Sequence, residues 1–129
     1  MSSVTPEAPV RHRVASSDEV AEGGRLIVDI GDTTIGIFRF KNALYAYENV
    51  CPHQGGPVCQ GRLVPRVVTL LDDGKRTVGA AFDEDDLHIV CPWHGAEYSV
   101  TTGAHPSQPK LVLHSITVTE EGGDIYVTL

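Results

Sequence analysis

The chain has 129 residues, 41% of them hydrophobic and 21% charged, the size and composition of one globular domain. Lys+Arg number 10 against 17 Asp+Glu, a formal charge of −7, so the chain lacks the basic surface that nucleic acid or an anionic membrane requires. Three cysteines, an odd number, argue against a disulfide-stapled secreted scaffold, and the six histidines beside them are a first pointer to a metal.

Residues 1–10, with two prolines and two serines, read as a flexible tail. They lack the basic start and apolar core of a secretory signal, and no later stretch reaches the roughly 20 apolar residues of a membrane-spanning helix. A cytoplasmic location is expected. The one helical turn expected is at 17–20, capped by Ser16. Residues 26–30, 34–40 and 43–47 are short, β-branched or aromatic runs, joined as hairpins through Gly31-Asp32 and Lys41-Asn42. A further hairpin is expected from 67–71 and 76–82 around the turn Asp72-Asp73-Gly74-Lys75. The acidic tract 83–86 reads as a solvated turn, or as a docking patch for a basic partner. Strands at 87–90, 97–100, 111–119 and 124–129 complete the set, the last two joined through 120–123. Many short strands at even spacing predict an all-β antiparallel sandwich or small barrel.

Two segments interrupt this pattern in the same way. Cys51-Pro-His53-Gln54-Gly55-Gly56-Pro57 follows the run ending at Val50, and Cys91-Pro-Trp93-His94-Gly95 follows the run ending at Val90. Each offers one thiolate and one imidazole, two or three residues apart, then glycine. Glycine allows the sharp turn or close approach by which both side chains can point at one centre, and proline stiffens the loop. Thiolate and imidazole together select iron, zinc or copper(I) and exclude magnesium and calcium.

C-x-H followed by C-x-x-H resembles the Rieske iron–sulfur proteins, in particular the small ferredoxins that feed electrons to oxygenases. The resemblance is close over 51–57 and 91–95 and extends more loosely to the strand order over about 12–129. It implies a Rieske domain over 11–129, with a cluster-binding lobe at about 48–100. It also implies a [2Fe–2S] cluster with Cys51 and Cys91 on one iron and His53 and His94 on the other, surrounded by Gln54, Gly55, Pro57, Trp93, Gly95 and Tyr98. Two neutral imidazoles in place of two thiolates make such a site easier to reduce, roughly −150 to +300 mV against about −400 mV for plant-type ferredoxins.

Within that range the residues beside the ligands favour a low value. Trp93 stands where high-potential members carry a disulfide cysteine, and Ala96 stands where they carry a serine hydroxyl. Tyr98 keeps the hydroxyl they place two residues further on. By the same resemblance, the donor is a flavin-dependent NAD(P)H reductase and the acceptor an oxygenase or other oxidoreductase. The chain itself is then an electron carrier rather than an enzyme, monomeric or weakly oligomeric. The interval from His53 to Cys91 exceeds the family's usual one by about the length of a hairpin, which places an insertion at about 64–86.

A structural zinc is the rival for the same four ligands, but zinc motifs typically pair C-x₂₋₄-C with H-x₃₋₅-H, and neither pairing occurs. A second alternative is a small fixed subunit of a larger oxidoreductase, of the nitrite-reductase kind. Cys59 reads as a small buried hydrophobe. His12, His105 and His114 read as surface or strand residues, and so does His88, which draws more notice because it precedes Cys91 by three positions.

Overall fold

Short β-branched and aromatic runs parted by Gly, Asn and Asp can satisfy their backbone groups by antiparallel pairing. The computed structural model describes residues 10–52, 55–93, 95–108 and 110–129. Among them it forms nine strands: β1 (Arg11–Ser16), β2 (Arg25–Ile30), β3 (Thr33–Phe40), β4 (Ala43–Glu48), β5 (Arg62–Leu71), β6 (Thr77–Val90), β7 (Glu97–Ser99), β8 (Ser115–Glu121) and β9 (Asp124–Thr128). Two 3₁₀ turns, Ser17–Glu19 and Val58–Gln60, are the helical elements among the described residues. The first starts as expected, with the Ser16 N–H donating to Glu19 Oε2 at 2.6 Å.

The strands form a six-stranded sheet, β1-β9-β8-β4-β3-β2, and a three-stranded sheet, β5-β6-β7, antiparallel throughout. The larger sheet curls on itself, because Ala15 from one edge strand and Leu26 and Val28 from the other meet in one core with Ile35, Ile37, Ala46, Ile125 and Val127. The β3–β4 hairpin is tight. Lys41 and Asn42 both take left-handed backbone, with φ of 51° and 65°, as a two-residue hairpin turn requires. The Glu22 carboxylate accepts both of their N–H groups at 2.7 and 2.8 Å, which holds its pKa below the usual carboxylate value.

β3 is the wall between two cores. Ile35 to Phe38 are all buried, although strand side chains alternate in direction. Ile35 and Ile37 enter the barrel core, whereas Phe38 enters a second core with Tyr47, Cys51, Val58, Cys59, Ile89, Cys91, Tyr98 and Val100. Gly36 lies on the second side, where a methyl group would sit 2.6 Å from Cys59 Sγ. The smallest residue of β3 is what lets the second lobe close against the barrel.

The structure differs from expectation in three places. β1 was not anticipated; it pairs with β9 through a register shift at Arg13/Ala15, a long-range ladder that its polar sequence does not advertise. The acidic tract 83–86 is no isolated turn. It lies within β6, where register jumps from Pro65↔Leu87 to Arg66↔Asp83 and leaves 84–86 as a bulge. Asp85 there pairs with Lys41 at 2.6 Å and Asp86 binds His88 at 3.1 Å, so the carboxylates tie the bulge to its surroundings. Finally, β8 begins at Ser115 rather than at 111, because 111–114 first cross the second lobe through an Ala104↔Val112 bridge and a Leu113 N–H bond to the Gly103 carbonyl at 2.8 Å.

Candidate metal centre

β4 and β6 each run to the same edge of the second core and deliver a cysteine there. The backbone then turns identically twice. Cys51 N–H donates to the Gly56 carbonyl at 2.8 Å, and Gly55 N–H to the Cys51 carbonyl at 2.7 Å. In the second loop Cys91 N–H donates to the Ala96 carbonyl at 2.7 Å, and Gly95 N–H to the Cys91 carbonyl at 3.1 Å. Gly55 and Gly95 occupy matching left-handed positions, with φ of 77° and 73°. Among the described residues other than the chain neighbours, no atom lies within 4 Å of where a Cβ would stand at either, and the left-handed backbone itself favours glycine.

The chain fixes these loops from behind. Pro57 leads into the Val58–Gln60 turn, whose Cys59 N–H donates to Asn49 Oδ1 at 2.8 Å. The Arg25 guanidinium reaches from β2 to the Cys59 carbonyl at 3.1 Å and to the Gly61 carbonyl. Tyr47 Oη donates to the Val100 carbonyl at 2.6 Å, joining the barrel to the segment beyond β7. Trp93 of the second loop lies on Gly56 of the first, where a methyl would meet its Cγ at 2.8 Å. Sequence reasoning missed Arg25 and Asn49 in these roles, neither of which carries a local signal. For Gly56 it expected a close backbone approach, and the neighbour is the Trp93 ring.

Between the loops are two buried cysteines, Cys51 and Cys91, 2% and 3% exposed. Burial pushes the Cys91 thiol up, the Trp93 backbone N–H pulls it down, and the Cys51 thiol beside it pushes it up further. Two neighbouring buried sulfurs resist taking negative charge by themselves, and a metal cation bonded to both removes that penalty. Tyr98, fully buried, brings its Oη to 3.2 Å from Cys51 Sγ, and its ring stands edge-on to His105 at 5.8 Å. This donor set fits a thiolate-held metal group.

His53, Gln54 and His94 lie outside the described residues. Trp93 is 51% exposed and Val50 48%, so apolar surface borders both loops. Cys59 is fully buried behind the first loop, and burial pushes its thiol up to about 12. His88 is a strand residue, as one of the two expectations had it, but a buried one, held in β6 between Asp86 and Glu97 at 3.1 Å each. His114 pairs with Glu48 at 2.9 Å on the exterior.

A family model described as Rieske [2Fe-2S] domain matches residues 10–117. The chain belongs to the Rieske [2Fe-2S] domain family. Its cofactor is a Rieske-type [2Fe–2S] cluster, and the domain is an electron carrier. It is 27% identical over 133 residues to a human Rieske domain-containing protein, covering 90% of this chain and 73% of that one. It is 27% identical to the 3-phenylpropionate/cinnamic acid dioxygenase ferredoxin subunit of Escherichia coli K12, covering 86% of each. Among solved structures, the ferredoxin of carbazole 1,9a-dioxygenase from Nocardioides aromaticivorans superposes with a TM-score of 0.62 at 24% identity, over 94% of this chain and 97% of that one. That likeness is one of fold. No helix among the described residues is long and apolar enough to cross a membrane.

Proposed function

We propose that Cys51 and Cys91 hold one iron of the cluster and His53 and His94 the other, and that the chain is the ferredoxin between a flavin-dependent NAD(P)H reductase and a terminal oxygenase. The observation that carries this reading is the duplicated loop: two buried, neighbouring thiols, each at the head of a five-residue turn closed by the same two hydrogen bonds. In sequence His53 and His94 stand inside those two turns. The ferredoxin subunit of a dioxygenase among its relatives supports the choice of partners. On this reading the cluster lobe spans about 48–100, with an insertion at about 64–86.

When bound, the cluster accepts and releases one electron without forming a bond to a substrate. The chain supplies the surroundings. Cys51 and Cys91 are kept out of water, so their charge is met by metal rather than by protons. Tyr98 Oη holds the Cys51 sulfur from inside the core. Left-handed Gly55 and Gly95, the prolines and the Trp93–Gly56 contact restrict the backbone at the described positions of the loops. Val50 and Trp93 give the rim an apolar surface for a transient partner. The net charge of −7 favours a basic partner.

Reconstitution tests the assignment. With NAD(P)H and a catalytic amount of flavin reductase, the purified chain is expected to be reduced and to support product formation by an oxygenase in proportion to its concentration. Isolation only at fixed stoichiometry with a large partner, without turnover by added reductase, contradicts it in favour of a fixed subunit.

A further inference from the structure

The ribbon formed by β5 and β6 has no assigned role. Beyond the Arg66↔Asp83 pair it extends five more pairing steps, to Leu71↔Thr77. β7 pairs only with 88–90 of β6, and β5 is an edge of its sheet. The outer ribbon is therefore two strands with both edges open, an arrangement that is marginal in water by itself. Leu70 and Leu71 are 45% and 57% exposed. Successive strand residues point to opposite faces, so neither face of the ribbon is covered there.

A redox partner is the wrong occupant. Nine pairing steps separate Arg62↔Val90, next to Cys91, from the ribbon end, roughly 30 Å at 3.3 Å per residue. A protein seated on the ribbon tip is remote from the loops through which the electron must pass. The ribbon's charges instead suit a second copy of itself. A two-fold axis beside position 69 sets Val67 opposite the second copy's Leu71 and Arg66 opposite the second copy's Asp72. Both side chains are exposed, Arg66 within β5 and Asp72 one residue past its end. Arg66 has a 3.8 Å contact to Asp86, and Asp72 uses Oδ1 to accept the Arg76 N–H at 2.8 Å. Each retains capacity for a further bond, since guanidinium carries five donors and carboxylate accepts at both oxygens.

We propose that β5 pairs antiparallel with β5 of a second copy about position 69, making a four-stranded sheet closed by two Arg66–Asp72 pairs and leaving both cluster loops free. A symmetric contact of this kind stops at two chains.

The holoprotein is expected to sediment at twice the 13.9 kDa of one chain. Arg66→Asp and Asp72→Arg are each expected to sediment at half the wild-type mass, with the visible spectrum unchanged. An equimolar mixture of the two is expected to dimerise again, because each then faces its opposite charge. Thr69→Cys is expected to form a disulfide-linked dimer on mild oxidation, and Leu71→Cys, which lies opposite position 67, is not. This crosslink decides the matter if Asp72→Arg loosens the hairpin turn. A monomeric wild type, single variants that stay dimeric, or absence of the Thr69→Cys crosslink would overturn the proposal.

Discussion

Replacing Tyr98 by Phe removes one oxygen from a fully buried ring and leaves its packing intact. The lost group is the Oη that stands 3.2 Å from Cys51 Sγ. A hydrogen bond to a charged acceptor contributes about 1.5–3 kcal/mol, and it strengthens as the acceptor gains negative charge. With Cys51 on the cluster, reduction adds that charge, so the hydroxyl favours the reduced form and its loss lowers the potential. Differential stabilisation of about 1 kcal/mol corresponds to roughly 40 mV for one electron. Spectroelectrochemical titration of Tyr98→Phe beside the wild type is expected to show a fall of about that size, while the melting temperature drops by only about 4 °C for the ~1 kcal/mol of a lost buried hydrogen bond. An unchanged or raised potential with the fold intact would refute both the placement of Tyr98 and the sign of its effect.

Gly36→Ala drives a methyl into Cys59, 2.6 Å from its sulfur. Overpacking at a backbone-fixed site is expected to cost about 3 kcal/mol, seen as an earlier urea midpoint with the slope unchanged. Gly56→Ala is expected to displace the ring of Trp93 and to shift the fluorescence of this single tryptophan, whereas Gly55→Ala, which meets no described atom within 4 Å beyond its chain neighbours, leaves the fluorescence alone and costs about 1–2 kcal/mol of backbone strain. Burial raises the Cys59 thiol from 9.0 to about 12, so the fold favours the neutral form. Stability from this residue is full below pH 9 and declines as pH rises from 9 toward 12, by on the order of 4 kcal/mol if the whole shift is realised. Urea unfolding at stepped alkaline pH is expected to show a shallower decline for Cys59→Ala. An identical decline contradicts the assignment of that share to Cys59.

The two cysteine loops were legible because their chemistry is local: ligand type, glycine and proline all fall within seven consecutive residues. The hairpins at Gly31-Asp32 and Lys41-Asn42 were legible for the same reason, since the turn residues themselves specify the conformation. What escaped was long-range. β1 is a strand because β9 lies beside it, and Arg13 secures that edge to Asp124 at 2.9 Å. Arg25 carries no local sequence signal, yet it holds the carbonyls behind the first loop. The tract 83–86 has turn composition, but Lys41 and His88, far off in sequence or one turn of strand away, hold its carboxylates in a bulge. Composition reports what a segment prefers alone, and these segments are fixed by what they meet.

The most direct test of the ligand assignment is metal and acid-labile sulfide analysis of the purified chain together with Mössbauer spectroscopy of the reduced form. Two irons and two sulfides per chain are expected, with the added electron on an iron whose parameters differ from those of its thiolate-bound neighbour, and with the cluster lost in Cys91→Ser and His94→Ala. A colourless protein holding one zinc and no sulfide, or two equivalent irons, would contradict the account.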